Sequence, residues 1–141
     1  MKTLIDTAAE AGRFASLLNA LRAASLTETL RGPGPYTLFA PTDKAFQKLP
    51  PGALNALLKD RKKLKGILEY HLLSGTLAGK EIEAGELPTV EGSRLIVAID
   101  GVRITVNGAR VMETDLDASN GVIHVVDTVL LPKGVVLAAA A

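Results

Sequence analysis

The sequence predicts an α+β domain. Apolar residues recur at helical spacing through the first half, and from about Leu87 the period shortens to two. Glycine-containing turn pairs then separate the alternating segments of the second half. Helices first and strands afterwards argue against an alternating parallel sheet.

Phe14, Leu17, Leu18 and Leu21 fall at i, i+3, i+4 and i+7 and predict one helical face. Gly32-Pro33-Gly34-Pro35 stops helix formation. Tyr36 to Ala40, short, aromatic and closed by Pro41, suits a buried strand. Thr42 or Asp43 is suited to cap a short helix carrying Phe46 and Leu49, because either side-chain oxygen accepts a free first-turn N–H; Pro50-Pro51 ends that helix. Leu54, Leu57 and Leu58 mark another helix, and Leu64, Ile67, Leu68, His71 and Leu72 a further one, with His71 on its apolar face. Leu95 to Ile99, Val102 to Val106 and Ala109 to Met112 read as three strands joined by Asp100-Gly101 and Asn107-Gly108, a meander. A strand from Val122 to Val126 follows the Asn120-Gly121 turn, and Val129-Leu130-Leu131 closes the run before Pro132.

No repeat or low-complexity linker divides the chain, so residues 1–134 are expected to form one domain. Residues 135–141 are an apolar C-terminal tail, expected to be a terminal fragment or a remnant of expression cloning, and too short to span a bilayer. The composition is 48% hydrophobic but only 4% aromatic, which predicts an aliphatic core. Absence of cysteine excludes disulfides, thiolate catalysis and cysteine-ligated zinc. A net charge of +1, with no long basic run interleaved with aromatics, argues against nucleic acid. The one dense cluster, Arg61-Lys62-Lys63-Leu64-Lys65, reads first as a solvated helix start.

No catalytic residue, metal site or cofactor is predicted. Neither a Gly-x-Ser-x-Gly nucleophile elbow nor a phosphate-binding loop is present. His71, His124 and Asp43 or Asp127 are suitable ligand types, but nothing in their spacing demands a metal.

Two separated segments, Tyr36 to Phe46 and Asn120 to Asp127 with Leu130-Leu131-Pro132, resemble the two boxes of the fasciclin family, and Tyr70-His71 lies between them as in that family. The resemblance is to a single-domain, bacterial-like member. It implies a wedge-shaped arrangement of sheet packed with several helices, and a role as a secreted, periplasmic or cell-surface adhesion module. Its expected partner is a cell-surface or matrix macromolecule recognised through surface loops. A secretory signal is not evident after Met1-Lys2, so export is an expectation from the resemblance alone. In animal members, integrin attachment is associated with the Tyr-His region and with an acidic-aliphatic motif before the second box. Tyr70 and His71 match the first, and Glu113, Asp115 and Leu116 match the second. Thr114 stands where proline or lysine is typical, and Asp117 where an apolar residue is common.

Each candidate contact also has a structural reading. Asp115 could complete the coordination of a metal held by a receptor, or simply shape the approach to the Asn120-Gly121 turn. His71 could titrate near neutrality as a contact, or pack with both nitrogens satisfied internally; Asp43 is a candidate partner for it. Tyr70 suits either the surface or the edge of the core. The alternative function is a binder of a small apolar ligand, which requires a cavity of roughly 300 Å³ or more between helices and sheet. A third is a spacer with an even, patch-free surface.

Overall fold

The computed structural model describes residues 3–49 and 52–131. The predicted tail 135–141 and the Pro50-Pro51 helix stop lie outside the described residues. The helices are α1 (Leu4–Ala11), α2 (Ala15–Ala23), α3 (Thr27–Arg31), α4 (Asp43–Gln47), α5 (Ala53–Lys59) and α6 (Arg61–Glu69). The strands are β1 (Tyr36–Pro41), β2 (Leu72–Ser74), β3 (Gly85–Pro88), β4 (Arg94–Asp100), β5 (Arg103–Val106), β6 (Ala109–Ala118) and β7 (Gly121–Val126), with a 3₁₀ turn at Gly79–Glu81.

The strands form one mixed sheet in the order β2-β1-β7-β6-β5-β4-β3. Next to the β2 edge, β1 and β7 run parallel, from Tyr36 opposite Gly121 to Pro41 opposite Val126. The two sequence boxes are therefore neighbours in space. Their backbones approach so closely that a methyl group on Gly121 would overlap the Tyr36 carbonyl. Strand β6 bends the sheet: Ala109 and Arg110 pair with β5, whereas Val111 to Ala118 pair with β7. The β3–β5 half is thereby carried across the face of β1 and β7 opposite the helices, which produces the wedge.

Strand alternation assigns the core residues to two layers. Leu38 and Ala40 of β1, with Ile123 and Val125 of β7, face the helices and meet Leu4, Leu17 and Leu68. Phe39 and Val126 face the other way and pack with Tyr70, Leu95, Val97 and Val106 inside the wedge. Burying each such leucine or valine contributes about 1.5–3 kcal/mol before entropy is counted. Both sheet edges are blunted. The Leu72 carbonyl at the β2 edge accepts from the Val90 N–H, and Pro88 interrupts the outer edge of β3.

The caps refine the sequence reading. Thr42 caps α4, accepting from the Ala45 N–H at 3.3 Å. Asp43 reaches away from its own helix and accepts from the Ser16 N–H at 2.8 Å, in the first turn of α2. A carboxylate there meets both an orphan donor and the positive end of the helix. Asp43→Ala should cost about 1 kcal/mol in denaturant unfolding, while Asp43→Asn, which keeps the acceptor, should cost less. Equal losses would refute the capping role.

Three local expectations are corrected. Helix α6 ends at Glu69, and Leu72 begins β2, because the residues after the Tyr70 cap extend to pair with β1. The first meander turn is Gly101-Val102, since Asp100 pairs with Arg103; Val102 is fully exposed at the tip. Asp115, Leu116 and Asp117 are part of β6 rather than of a connection.

Candidate functional site

Strand β6 pairs Glu113 with Val125 and Leu116 with Ile123, so Thr114 and Asp115 together oppose the single residue His124. This is a β-bulge. Asp115 takes φ +62°, a conformation that Asp and Asn adopt more readily than most side chains. The ladder partner that the extra residue forfeits is replaced by His124, whose Nδ1 accepts from the Asp115 N–H at 3.2 Å. An accepting Nδ1 leaves the proton on Nε2, which donates to the Leu77 carbonyl at 2.6 Å. His124 lies against Phe39, with ring centroids 5.5 Å apart. Burial lowers its pKa, with the Leu77 carbonyl and the Asp115 and Asp117 charges opposing that shift.

The Asp115 carboxylate is exposed, and its Oδ1 accepts from the Gly79 N–H at 2.8 Å. That hydrogen bond holds its pKa below the usual carboxylate value, aided by the Thr114 hydroxyl and the charge of Lys80. Gly79 is required by space: a Cβ there would lie 2.6 Å from Asp115 Oδ2 and 2.8 Å from Thr114 Oγ1. The bulge and the 3₁₀ turn are therefore fastened together. Glu113 is also exposed and pairs with Arg13 at 2.9 Å; the Arg13 guanidinium sits 5.6 Å from the centre of the Phe14 ring. Leu116 is half-buried against the helical core, leaving part of its side chain at the surface.

Tyr70 and His71 lie in the interior, 3% and 1% exposed. The Tyr70 hydroxyl donates to the Arg94 carbonyl at 2.8 Å and accepts from Asn107 Nδ2 at 2.7 Å, tying the end of α6 to the β4–β5 half. His71 Nδ1 donates to the Ile67 carbonyl at 2.8 Å, and its Nε2 accepts from the Leu130 N–H at 2.9 Å. Those two bonds fix a neutral ring whose pKa burial lowers to about 4. Asp43 is not its partner. The candidate contacts thus divide into an exposed group on β6 and a buried pair at the α6 terminus, with no hydrogen bond between the groups among the described residues.

The sequence reading passed over Asn120 as a turn former. Its Oδ1 accepts from the Leu4 N–H at 2.9 Å, and its Nδ2 donates to the Leu30 and Gly32 carbonyls at 2.6 and 2.9 Å. An asparagine between a serine and a glycine carries no sequence signal that distinguishes this role from a turn. Among the described residues no group of three His, Asp or Glu stands close enough to hold a metal. A cleft of about 380 Å³ opens beside the Arg13–Glu113 pair, lined by Gly12, Arg13, Thr42, Asp43, Lys44 and Met112. Another of about 540 Å³ runs along Pro33-Gly34-Pro35 and Asp117 to Gly121. Both open at the surface.

The Fasciclin domain family model matches residues 12–132. The chain belongs to the fasciclin family. It is 41% identical over 132 residues to protein sll1483 of Synechocystis, covering 92% of this chain and 73% of that protein. It is 43% identical over 133 residues to the pig transforming growth factor-beta-induced protein ig-h3, covering 94% of this chain but only 20% of the larger protein. Among solved structures it matches a FAS1 domain pair from the insect cell adhesion molecule fasciclin I, with a TM-score of 0.81 and 24% identity. That match covers 94% of this chain and 51% of the pair, so the fasciclin domain described here corresponds to about half of it. No helix among the described residues is long and apolar enough to cross a membrane.

Proposed function

We propose that this fasciclin domain is a non-enzymatic recognition module that attaches to a macromolecule at a cell surface or in the surrounding matrix, through the exposed acidic edge of β6. The observation that carries this reading is the Asp115 carboxylate, presented at the surface on a bulge of positive φ and fixed by Gly79 and His124. Such a fixed, exposed carboxylate is suited to complete the coordination of a divalent cation held by a receptor. Its rigid support lowers the ordering cost of binding. Glu113 and Leu116 flank it as a charged and an apolar contact. Tyr70 and His71 enter this reading beneath the surface, holding the wedge in the shape that displays β6. The adhesion role of fasciclin I, whose domains share this fold, supports the reading and the surface location.

The test immobilises the domain and measures attachment of cells or isolated receptors with and without divalent cations. Asp115→Asn should abolish the cation-dependent fraction while shifting stability by less than about 0.5 kcal/mol, because asparagine tolerates the same φ and retains the acceptor for Gly79. Undiminished attachment by a folded Asp115→Asn protein would remove Asp115 from the contact.

A further inference from the structure

On the helical side of the molecule, residues 59–65 read Lys-Asp-Arg-Lys-Lys-Leu-Lys, and every one of the five cations is exposed. Leu64, Ile67 and Leu68 turn inward, which leaves Lys62 on the outer face of α6 and Lys65 on its flank, while Arg61 is exposed at the first position of the helix. Arg61 Nε also donates to the Ala23 carbonyl at 3.4 Å, at the end of α2, where Arg22 adds another exposed cation. Elsewhere Arg13, Arg31, Lys48 and Arg94 are matched with carboxylates. Among the described residues no such ion pair involves Arg22, Lys59, Arg61, Lys62 or Lys65.

This cluster opposes local stability. Three cations occupy the first turn of α6, where the helix end is itself positive, and Arg61 and Lys65 repel at i, i+4. The Asp60 side chain is engaged in capping, accepting from the Lys63 N–H at 3.2 Å, and Glu69 lies at the far end of the helix. Charge held against the local rules for helix stability indicates a functional surface. We propose that the α6 start and the adjoining end of α2 form a docking surface for an acidic polysaccharide.

The surroundings select that class of polyanion. Among the described residues the exposed large apolar ones, Val90, Ile96, Ile99, Val102 and Met112, all lie outside the helices, so none of them gives the patch an anchor for insertion into a membrane. None of the aromatic side chains is exposed to stack a base. An open cleft of about 520 Å³ along α2 presents Ser16 and Asn19 beside Arg22, groups suited to sugar hydroxyls.

Binding of the intact chain should be measured against heparin as a sulfated probe and polygalacturonate as a carboxylated one, at low and high salt. Neutral dextran, phosphatidylserine vesicles and duplex DNA serve as comparisons. At least one acidic polysaccharide should bind with affinity that falls steeply as salt rises, and the tighter of the two identifies the acid group preferred. Lys62→Glu/Lys65→Glu should weaken that binding more than 10-fold while leaving the Tm unchanged or raised. Arg103→Glu/Arg110→Glu, the same charge change on the other half of the molecule, should alter it less than 3-fold. Equal losses in the two variants, tighter binding to vesicles or DNA, or no binding to either polysaccharide would overturn the proposal.

Discussion

Asn120→Ala is expected to lower the unfolding free energy by about 3–4 kcal/mol. Its amide joins the start of α1 to the end of α3: Oδ1 takes the first N–H of α1, and Nδ2 supplies the Leu30 carbonyl of α3 and that of the Gly32 cap. Helix termini leave such groups without partners, and burial prevents water from replacing them freely. The Asn120 backbone adds a further tie, its carbonyl accepting from the Tyr36 N–H at 2.9 Å as β1 begins. Asn120→Asp is the informative companion, because it preserves the acceptor for Leu4 but turns a carboxylate oxygen toward two carbonyls. It should be at least as damaging as alanine near neutral pH. Urea unfolding of both variants decides the matter, and a loss below about 1 kcal/mol in Asn120→Ala would show that the three bonds are readily replaced.

Acid is expected to destabilise the domain through His71. The ring is neutral when folded, with its pKa lowered to about 4, whereas an exposed histidine in the unfolded chain titrates near 6.5. The stabilisation associated with the neutral ring is thus fully present above about pH 6.5. It is lost as pH falls toward 4, where the unfolded state takes up the proton first. At about 1.4 kcal/mol per pH unit the total loss is roughly 3 kcal/mol, and the buried His124, shifted in the same direction, adds to it. His71→Ala should reduce stability at pH 7 by about 3 kcal/mol, through the void it leaves and the unpaired Leu130 N–H. The same variant should also show a shallower decline between pH 6.5 and 4, shorter by one proton. Parallel pH profiles for the two proteins would exclude His71 as the source of the acid sensitivity.

Much of this architecture was legible in the sequence, for identifiable reasons. The helical faces of α2 and α6 and the β4–β5–β6 meander rest on short-range periodicity, which one sequence displays directly. Leu72 was misplaced because an apolar residue at i+8 satisfies a helix and a buried strand equally well. Its pairing with Leu38 decides between them, and that is a long-range fact. Capping chemistry identified Thr42 and Asp43 but not their directions, since reaching Ser16 depends on how α2 and α4 pack. On β6 the acidic residues were recognisable by type. Their bulge was not, because it depends on the opposite strand offering His124 as an acceptor.

The parallel pairing of β1 with β7 also bears on how the domain is made. Residues 36–41 and 121–126 are the second and third strands of the sheet, so the strand that joins β1 to the rest of the sheet is a segment near the far end of the fold. Closing a loop of roughly 80 residues costs about 4 kcal/mol of chain entropy before any contact forms, and pairings this distant slow folding relative to helix formation. During synthesis the helices can form early, but β1 stays half-partnered until β7 emerges. The domain should therefore assemble late and in one cooperative event, and a chain cut short before Gly121 should remain open and sensitive to proteases.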